Sequence, residues 1–415
     1  MSNLIDMGKD AKKASTILAR LSSGEKNEGL RTAAEFLINR KQEILEANKK
    51  DLTEAKANGI SGALLDRLTL DDERIKSMAD GLLDIVGLND PIGEGLSTIK
   101  RPNGLIIGQK RVPLGVIGII YEARPNVTVD GFGLCLKTGN AVILRGGKEA
   151  INTNIATINI IQDALEKCGL PKESVQLVKD TSREVANEMM KLNEYLDVLI
   201  PRGGAGLIKA ILENSTVPVI ETGAGNCHVY VDSEASIDMA VPIIVNAKTQ
   251  RPGVCNSIEK VIIHKDIVKE AIRPIYESLK EYNVEVRGDE VVKSLIPEII
   301  EASEDDWGTE YLDFTIAIKT VESIEEAIDH INKYSTKHSE SIITKNYFNA
   351  QKFLDEVDSA AVYVNASTRF TDGSEFGYGA EIGISTQKLH ARGPMGLREL
   401  TSTKYIIYGN GQIRG

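Results

Sequence analysis

The chain has 415 residues, of which 42% are hydrophobic and 26% are charged, a composition typical of globular proteins. This length exceeds one hydrophobic core of ordinary size, so two or three domains are expected. The 49 basic and 60 acidic residues give a net charge of −11, which argues against nonspecific binding to nucleic acid or anionic membranes.

The amino terminus and the cysteines bear on the compartment. The opening MSNLID has no cationic region followed by an apolar core, and no apolar run is long enough to span a bilayer. We therefore expect a cytoplasmic protein without a membrane segment. The four cysteines form no C-x-x-C pair, and the five histidines do not cluster with them at ligand spacing. Neither a zinc site nor a disulfide scaffold is expected, so we predict no metal.

Residues 1 to about 90 are predicted to be helical almost throughout. The segment GLRTAAEFLINRKQEILEANKKDL has apolar residues at helical spacing, and Ser22-Ser23-Gly24-Glu25 before it predicts a helix cap. The next stretch, 97–112, alternates and contains Pro-Asn-Gly at a turn, which predicts an exposed hairpin. Such a hairpin is either an oligomer contact or an ordinary surface ribbon.

From residue 115 the pattern changes to short apolar runs separated by helical patterns. The runs of the first series are GVIGIIYE, NAVILR, VQLV, DVLIP and VPVIE. A second series begins near HVYVD and continues through KVIIH, FTIAIK, SIITK and AAVYVN. Apolar strands that alternate with helices predict parallel sheets covered on both faces. The C-terminal TSTKYIIYGNGQ is a lone predicted strand that could add to a neighbour's sheet.

Two glycine-rich turns follow predicted strands of the first series. The chain lacks G-x-G-x-x-G, because Gly131-Phe132-Gly133 is followed by leucine at 136 and Gly223-Ala224-Gly225 by histidine at 228. AVILRGGKEA and DVLIPRGGAGLIKA instead share strand, Arg-Gly-Gly and helix. Glycine allows a ligand to approach the backbone, and a helix N-terminus favours an anion. The alternative is that a strand-to-helix turn simply requires glycine.

The four cysteines differ in their local patterns. Cys135 lies in a helical apolar stripe and Cys168 at a helix end, so both are interpreted as packing residues. Cys227 lies at the start of a predicted strand and is ambiguous. Cys255 follows Pro252-Gly253 on a predicted loop, which interrupts regular structure.

Cys255 has four interpretations: a buried apolar residue, half of a disulfide, a metal ligand or a nucleophile. Arg251 and Lys248 place positive charge near it in the sequence. Cations lower the pKa of a thiol, and the thiolate is the reactive form. The local pattern is therefore compatible with a nucleophile but does not select it.

Several longer stretches carry a resemblance when taken together. They are VPLGVIGIIYEARPNVTVDGFGLCLKTGNAVILRGGKEA, IPRGGAGLI, PVIETGAGNCHVYVD, AKTQRPGVCNSIEKVIIH and EFGYGAEIGISTQKLHARGPMGLREL. From roughly residue 10 to its C-terminus the chain resembles the aldehyde dehydrogenase superfamily and, within it, the members that reduce an acyl phosphate of glutamate. The implied fold is α/β and aldehyde dehydrogenase-like, with two doubly wound parallel-sheet domains and a small β oligomerisation element.

The resemblance implies domain boundaries and partners. Residues 1–96 and 113–226 would form the NADP-binding domain, and residues 227–384 the catalytic domain. Residues 97–112 and 385–415, the hairpin and the C-terminal strand, would form the oligomerisation element of a homo-oligomer. Glutamate 5-kinase is the implied functional partner, and neither nucleic acid nor membrane is implied.

Catalytic roles also follow from the resemblance. Cys255 matches the family nucleophile. Asn126 matches the side-chain amide that forms the oxyanion hole with the backbone N–H of the cysteine. Glu221 matches the general base of hydrolytic relatives, a puzzle here because a base beside a thioester would waste it as glutamate.

Cofactor roles are implied in the same way. The residues Arg145, Gly146, Gly147 and Lys148 match the loop on the adenosine ribose, Gly203 and Gly204 the turn near the pyrophosphate, and Glu310 the residue that binds the nicotinamide ribose. Relatives that prefer NAD carry an acidic residue on the ribose loop, whereas this chain has Lys148. Because lysine attracts a 2′-phosphate, we expect a preference for NADPH.

Arg124, Arg251 and Ser257 are candidates for substrate binding, with ordinary loop bracing as the alternative. An arginine before the cysteine suits an anionic leaving group such as phosphate.

The implied activity is the NADPH-dependent reduction of L-glutamate 5-phosphate to L-glutamate 5-semialdehyde and phosphate through a cysteine thioester, in proline biosynthesis. The nearest alternative is an NAD(P)-dependent aldehyde dehydrogenase that oxidises an aldehyde to an acid. A non-catalytic nucleotide-binding scaffold is a rival from another class.

Overall fold

The structure is a computed structural model that describes residues 2–414. The chain forms two compact units. The first unit comprises Met1–Glu221, Gly377–Gly383 and Met395–Gly415, and the second unit comprises Thr222–Phe376 and Ile384–Pro394. This division lies close to the predicted boundary at 226/227. The hairpin and the C-terminal strand belong to the first unit, and the functional assignment of the domains stays a prediction.

Fifteen α-helices and sixteen strands are present in the described residues. The helices are α1 Ser2–Leu18, α2 Ser23–Asn39, α3 Lys41–Ala57, α4 Gly62–Leu68, α5 Asp72–Gly87, α6 Asn126–Lys137, α7 Ile151–Lys167, α8 Arg183–Met189, α9 Ala205–Asn214, α10 Ile237–Thr249, α11 Val268–Lys280, α12 Glu290–Leu295, α13 Glu304–Gly308, α14 Ile324–Tyr334 and α15 Tyr347–Glu356. The strands are β1 Gly95–Lys100, β2 Ile106–Pro113, β3 Val116–Tyr121, β4 Ala141–Arg145, β5 Val175–Leu177, β6 Val198–Arg202, β7 Cys227–Val231, β8 Ile258–His264, β9 Glu285–Gly288, β10 Ile300–Glu301, β11 Thr315–Val321, β12 Ser339–Ile343, β13 Ala361–Val364, β14 Ile384–Ser385, β15 Gly393–Pro394 and β16 Thr401–Tyr408.

The N-terminal region is helical, as predicted. Ser22 caps α2, and Glu25 completes a capping box because its carboxylate accepts from the Ser22 N–H. Leu30 and Leu37 are fully buried on one face of the same helix. Both the cap and the helical apolar spacing are therefore confirmed.

The sheet of the first unit has four parallel strands in the order β5-β4-β3-β6. β3 is buried along its whole length, because helices cover the sheet, and this explains the uninterrupted apolar run VIGIIY. The chain runs from β3 outwards to β5 and then returns to place β6 on the other side of β3. The strand order reverses at β3, and ligands of open α/β sheets bind at the carboxyl ends of strands beside such a reversal.

The sheet of the second unit has seven strands in the order β10-β9-β11-β8-β7-β12-β13, all parallel. Side chains alternate between its two faces. Val229 and Val231 of β7 join one apolar cluster, whereas Tyr230 joins another. Two cores thus sandwich the sheet, and the predicted second α/β series is confirmed.

A three-stranded antiparallel sheet has the order β1-β2-β16. The predicted hairpin is its first two strands. The C-terminal strand β16 pairs with β2 of the same chain and lies at an edge of the sheet, and its addition to a neighbour's sheet stays a prediction. None of the helices within residues 2–414 combines the length and the apolar character that a bilayer crossing requires.

Candidate active site

The glycine turns of the first unit lie at the carboxyl ends of β4 and β6, on either side of β3. Gly146 and Gly147 begin the turn after β4, where an added Cβ would lie 2.4 Å from Asn154 Nδ2 or from Glu149 Oε2. Gly203 and Gly204 follow β6 in the same way. The structure therefore brings the two predicted cofactor turns to one edge of the sheet.

The turn after β6 is closed by an acidic side chain that the sequence did not single out. Glu122 follows β3, and its Oε2 accepts from the Gly204 N–H at 2.9 Å. A Cβ on Gly203 would lie 2.6 Å from the same oxygen. The carboxylate thus occupies the N-terminal approach to α9, the place that an anion would take.

The turn after β4 carries two cations with different surroundings. Arg145 donates to the carbonyl oxygens of Thr181 and Ser182, and burial lowers the pKa of its guanidinium. Its Nε is buried without a hydrogen-bond partner. Lys148 is exposed and forms no ion pair among the described residues. An unpaired buried donor, an exposed ammonium and glycine-lined backbone suit the phosphorylated ribose of a dinucleotide.

Asn126 and Arg124 lie in the segment after β3. Asn126 is the first residue of α6, is exposed, and donates its amide to Asp130 Oδ2 at 2.9 Å. Burial raises the pKa of Asp130 to about 6, although the hydrogen bond from Asn126 opposes this shift. Arg124 is half-buried, and its carbonyl accepts from the Val127 N–H. Glu221 is half-buried and is the last residue of Met1–Glu221, the first of the three segments that form the first unit.

In the second unit, the cysteine loop (residues 250–257) connects α10 to β8 and therefore lies at the amino end of its strand. Cys255 is half-buried there. A Cβ on Gly225, just before β7, would lie 1.5 Å from the Cys255 carbonyl oxygen, so only glycine fits at this position. Cys227 is fully buried, and its Sγ lies 3.1 Å from the same oxygen. The backbone of the cysteine is thus fixed from two sides.

Glu310 lies in the segment before β11, which brings it to the same end of the sheet. Its Oε1 accepts from the Gly225 N–H at 2.6 Å. The residue predicted to bind the nicotinamide ribose therefore holds the glycine that packs against Cys255. Gly225, Cys255 and Glu310 therefore lie together at the amino ends of β7, β8 and β11, which are neighbouring parallel strands.

The other predicted residues of the cysteine loop have separate environments. Arg251 is exposed. Ser257 is fully buried, and its hydroxyl donates to the Ala247 carbonyl at 3.1 Å. This contact braces the loop, which is the alternative to substrate binding that the sequence left open. Lys248, the other cation close to Cys255 in the sequence, is not free to face a ligand. It is fully buried in an ion pair with Glu259 instead.

Sequence reasoning missed Glu259, Lys260 and Arg369. The first two are consecutive charged residues in the apolar strand β8, and charge inside an all-buried strand was the available signal. Arg369 donates to Gln250 at 2.9 Å; burial lowers the pKa of its guanidinium, and the nearby Cys255 opposes this shift. Arg369 is 114 residues from Cys255 in the sequence, so no local pattern could have placed it there.

The chain matches the aldehyde dehydrogenase family over residues 3–296. It therefore belongs to the aldehyde dehydrogenase family, and this membership implies a nicotinamide cofactor. The structure of an acetylating aldehyde dehydrogenase from Geobacillus thermoglucosidasius, at 17% identity, covers 100% of this chain and 98% of its own with a TM-score of 0.71, which supports the fold.

More similar proteins narrow the family. A protein of Clostridium perfringens (strain 13 / Type A) named gamma-glutamyl phosphate reductase is 64% identical over 413 residues and covers 100% of both chains. A crystal structure of gamma-glutamyl phosphate reductase from Thermotoga maritima has 51% identity and a TM-score of 0.97, with 99% of this chain and 100% of that one covered. Within the aldehyde dehydrogenase family, the chain belongs with the gamma-glutamyl phosphate reductases.

Proposed function

We propose that this chain reduces L-glutamate 5-phosphate to L-glutamate 5-semialdehyde and phosphate with NADPH, as a step of proline biosynthesis. The family membership supports an oxidoreductase of this type. The observation that carries the chemistry is the position of Cys255, a half-buried thiol whose carbonyl is fixed by Gly225 and Cys227. A fixed backbone restricts the directions from which the thiolate can attack.

The proposed first step is attack of the Cys255 thiolate on the acyl carbon of the substrate. The carbon–oxygen bond to phosphate breaks and phosphate leaves as an anion, so a thioester forms. Asn126 is the proposed side-chain donor to the oxyanion, together with the backbone N–H of Cys255. Arg251 and Arg124 are proposed to bind the anionic groups of the substrate, and Ser257 stays a third candidate.

The proposed cofactor residues are those of the first unit's turns and Glu310. When bound, the reduced nicotinamide supplies the hydride that reduces the thioester. Arg145, Gly146, Gly147 and Lys148 are proposed to hold the adenosine ribose and its 2′-phosphate, and Gly203 with Gly204 the pyrophosphate. The exposed ammonium of Lys148 supports NADPH over NADH.

After reduction, the hemithioacetal collapses and the Cys255 thiolate leaves the carbon, which releases the semialdehyde. This route consumes no water. Glu221 is therefore proposed to handle protons at the thiol rather than to activate water. In ordinary aldehyde dehydrogenases, by contrast, a base activates water to hydrolyse the thioester.

The finer expectations on assembly are proposals as well. We propose a cytoplasmic homo-oligomer that receives its acyl phosphate from glutamate 5-kinase. The sheet β1-β2-β16 supports an oligomer contact, because it exposes several large apolar side chains: Leu96, Ile99, Tyr405, Ile407 and Tyr408.

The reverse reaction tests the function. Glutamate semialdehyde, phosphate and NADP⁺ should give NADPH only when all three are present. Oxidation that is equally fast without phosphate would instead identify an ordinary aldehyde dehydrogenase. Arsenate, an analogue of phosphate, should replace it in this assay.

A variant tests the nucleophile. Cys255→Ser should lower turnover by about 1000-fold or more, because an alcohol at this position is not ionised, while NADPH binding persists. Cys168→Ser is the matched control, since this half-buried thiol of the first unit has no proposed role. Substantial turnover of Cys255→Ser would contradict the nucleophile assignment. Iodoacetamide labelling of Cys255 at the rate of an ordinary exposed thiol, not slowed by substrate, would favour the non-catalytic scaffold.

A further inference from the structure

Two buried charges close the ends of the cysteine loop. Lys248 lies in the last turn of α10 and Glu259 is the second residue of β8. Their side chains are fully buried, and Lys248 Nζ donates to Glu259 Oε2 at 2.7 Å. Cys255 lies on the segment between them. The ion pair therefore fixes the separation of the two points from which the loop departs.

The second oxygen of Glu259 reaches another segment. Its Oε1 accepts from the Leu312 N–H at 3.1 Å. Leu312 has a φ of 56°, a left-handed conformation that is unfavourable for leucine and requires support from its surroundings. One carboxylate thus connects the cysteine loop to the backbone two residues after Glu310.

The neighbouring residue of β8 holds the other end of the same segment. Lys260 points to the opposite face of the sheet, and its Nζ donates to the Thr309 carbonyl at 2.7 Å. It also lies 4.5 Å from the ring centroid of Tyr311. The segment 309–312 is therefore attached at both ends to the strand that begins three residues after Cys255.

These contacts form a closed path. Glu310 lies inside the held segment, and its carboxylate accepts from the Gly225 N–H at 2.6 Å. Gly225 packs directly against the Cys255 carbonyl. Glu310 is thus held in two ways: its segment is bonded to β8, and its carboxylate is bonded to the glycine that packs against Cys255.

We propose that Glu259 is a positioning residue, whose two oxygens together fix the Glu310 carboxylate with respect to the Cys255 loop. This inference rests on the proposed function, because it needs the assigned roles of Cys255 and Glu310. A buried ion pair is a poor source of stability, since apolar residues of similar volume often replace one without loss. What an apolar pair cannot replace is the oxygen that accepts from Leu312.

Two double variants separate positioning from packing. K248Q/E259Q removes both charges but keeps a carbonyl oxygen for the Leu312 N–H and an amide pair in place of the ion pair. K248M/E259L fills the same space without an acceptor. Both remove the buried charges together, so neither leaves an uncompensated ion in the core.

In the phosphate-dependent reverse assay, K248Q/E259Q should retain kcat within about fivefold of the wild type. K248M/E259L should lose about 50-fold in kcat and raise the KM for NADP⁺, while the KM for phosphate stays within about twofold. The reason is that the displaced Glu310 carboxylate is proposed to bind the cofactor and to set its position relative to Cys255, but not to bind phosphate. Equal kinetics of the two variants at equal folded fraction would overturn the proposal.

A matched control lies in the first unit. Lys26 and Asp90 form another buried ion pair, and Asp90 also accepts from a backbone N–H, that of Ile92. K26M/D90L therefore removes the same kinds of contact away from the proposed machinery, and its kcat and KM values should match the wild type.

Hydrogen exchange of the wild-type protein provides a test that does not depend on the folding of any variant. The Leu312 amide should exchange its hydrogen at least about 100-fold more slowly than an exposed amide of the chain, because Glu259 accepts its hydrogen bond. Exchange at the exposed rate would overturn the proposal. A wild type without phosphate-dependent turnover would instead refute the proposed function, and the exchange result would still stand by itself.

Discussion

The glycine turns of the first unit and the cysteine loop of the second lie at opposite ends of their strands. The turns follow the carboxyl ends of β4 and β6, and each leads into a helix. The cysteine loop instead precedes the amino end of β8. Parallel strands bring side chains together at both ends of a sheet. A helix N-terminus with unsatisfied N–H groups, however, lies only at the carboxyl ends, because there the helix follows the strand.

This difference explains why the two regions are built from different residues. At the turns, backbone N–H groups provide the donors, and an exposed side chain, Glu122, meets one of them. At the cysteine loop, the fully buried Glu259 and the half-buried Glu310 hold backbone N–H groups in place. The first arrangement presents backbone donors at an edge of the sheet, whereas the second fixes the backbone of Cys255, the proposed nucleophile.

Among changes that leave Cys255 itself in place, the largest effect should come from adding one carbon to the fixed region. In Gly225→Ala, the new Cβ would lie 1.5 Å from the Cys255 carbonyl oxygen, so the backbone of the cysteine must move. A displacement of about 1 Å at a reacting group costs on the order of 100-fold in rate. We therefore expect kcat to fall by about that factor, measured in the phosphate-dependent assay with the alkylation rate of Cys255.

Gly308→Ala is the matched control in the same unit, since nothing lies within 4 Å of its added Cβ. Its kcat should equal that of the wild type. A Gly225→Ala enzyme with normal turnover would remove the distinction between a fixed and an open region.

A charge reversal at the turn after β4 should change cofactor choice. Lys148→Glu replaces an exposed cation by an anion where a 2′-phosphate is proposed to bind. Hydrogen bonds to charged groups contribute about 1.5 to 3 kcal/mol, so the ratio of kcat/KM for NADPH to that for NADH should fall by about 30-fold. Lys209→Glu, an exposed change of the same charge on α9, should leave the ratio unaltered.

A smaller effect is expected from a change at the contact between Glu122 and Gly204. Glu122→Gln removes a negative charge beside the N-terminus of α9 but keeps an oxygen for the N–H. Since such charges interact with a helix terminus only modestly, NADPH binding should tighten about twofold to fivefold, as measured by the fluorescence of the bound cofactor. Glu184→Gln, in the first turn of α8, is the control. Weaker binding by Glu122→Gln would show that the carboxylate assists the cofactor.

The last prediction concerns the pH dependence of stability and a buried histidine of the second unit. Burial lowers the pKa of His330 to about 3, and His228, Lys319 and Lys260 add to the shift. Because the unfolded chain binds a proton near pH 6.5, the neutral histidine contributes its full stability above that pH and loses it as the pH falls towards 3.

In His330→Phe this loss should be absent. Between pH 7.5 and 5.0 the free energy of unfolding should fall by about 2 kcal/mol less in the variant than in the wild type, as measured by denaturant unfolding. Parallel pH curves of the two proteins would contradict the assignment.

Parts of the site could be predicted from the sequence because they are local. Arg145 to Lys148 and Gly203 with Gly204 follow recognisable strands, and a turn between a strand and a helix has few solutions. Cys255 could be placed on a loop because Pro252-Gly253 interrupts regular structure. The partners of these residues could not be predicted. Gly225 and Glu310 are 85 residues apart, and only the strand order β11-β8-β7 brings them together.

Lys248 shows the limit most clearly. Its sequence position suggests a cation that activates the thiol, yet its side chain points into the core and pairs with Glu259. Which way a side chain points depends on the face of the helix that packs on the sheet, and this is decided by contacts with β8.

The sequence by itself determined the alternation of strands and helices, the capped N-terminal helices, the glycine turns and, through its resemblance, the family. These features depend on hydrophobic periodicity and backbone preferences that act within a few residues. Only the tertiary structure decided that Glu122 meets Gly204 and that Glu259 connects the cysteine loop to Glu310. Such contacts depend on strand order and on the burial of charged groups, and both arise only when distant segments pack against each other.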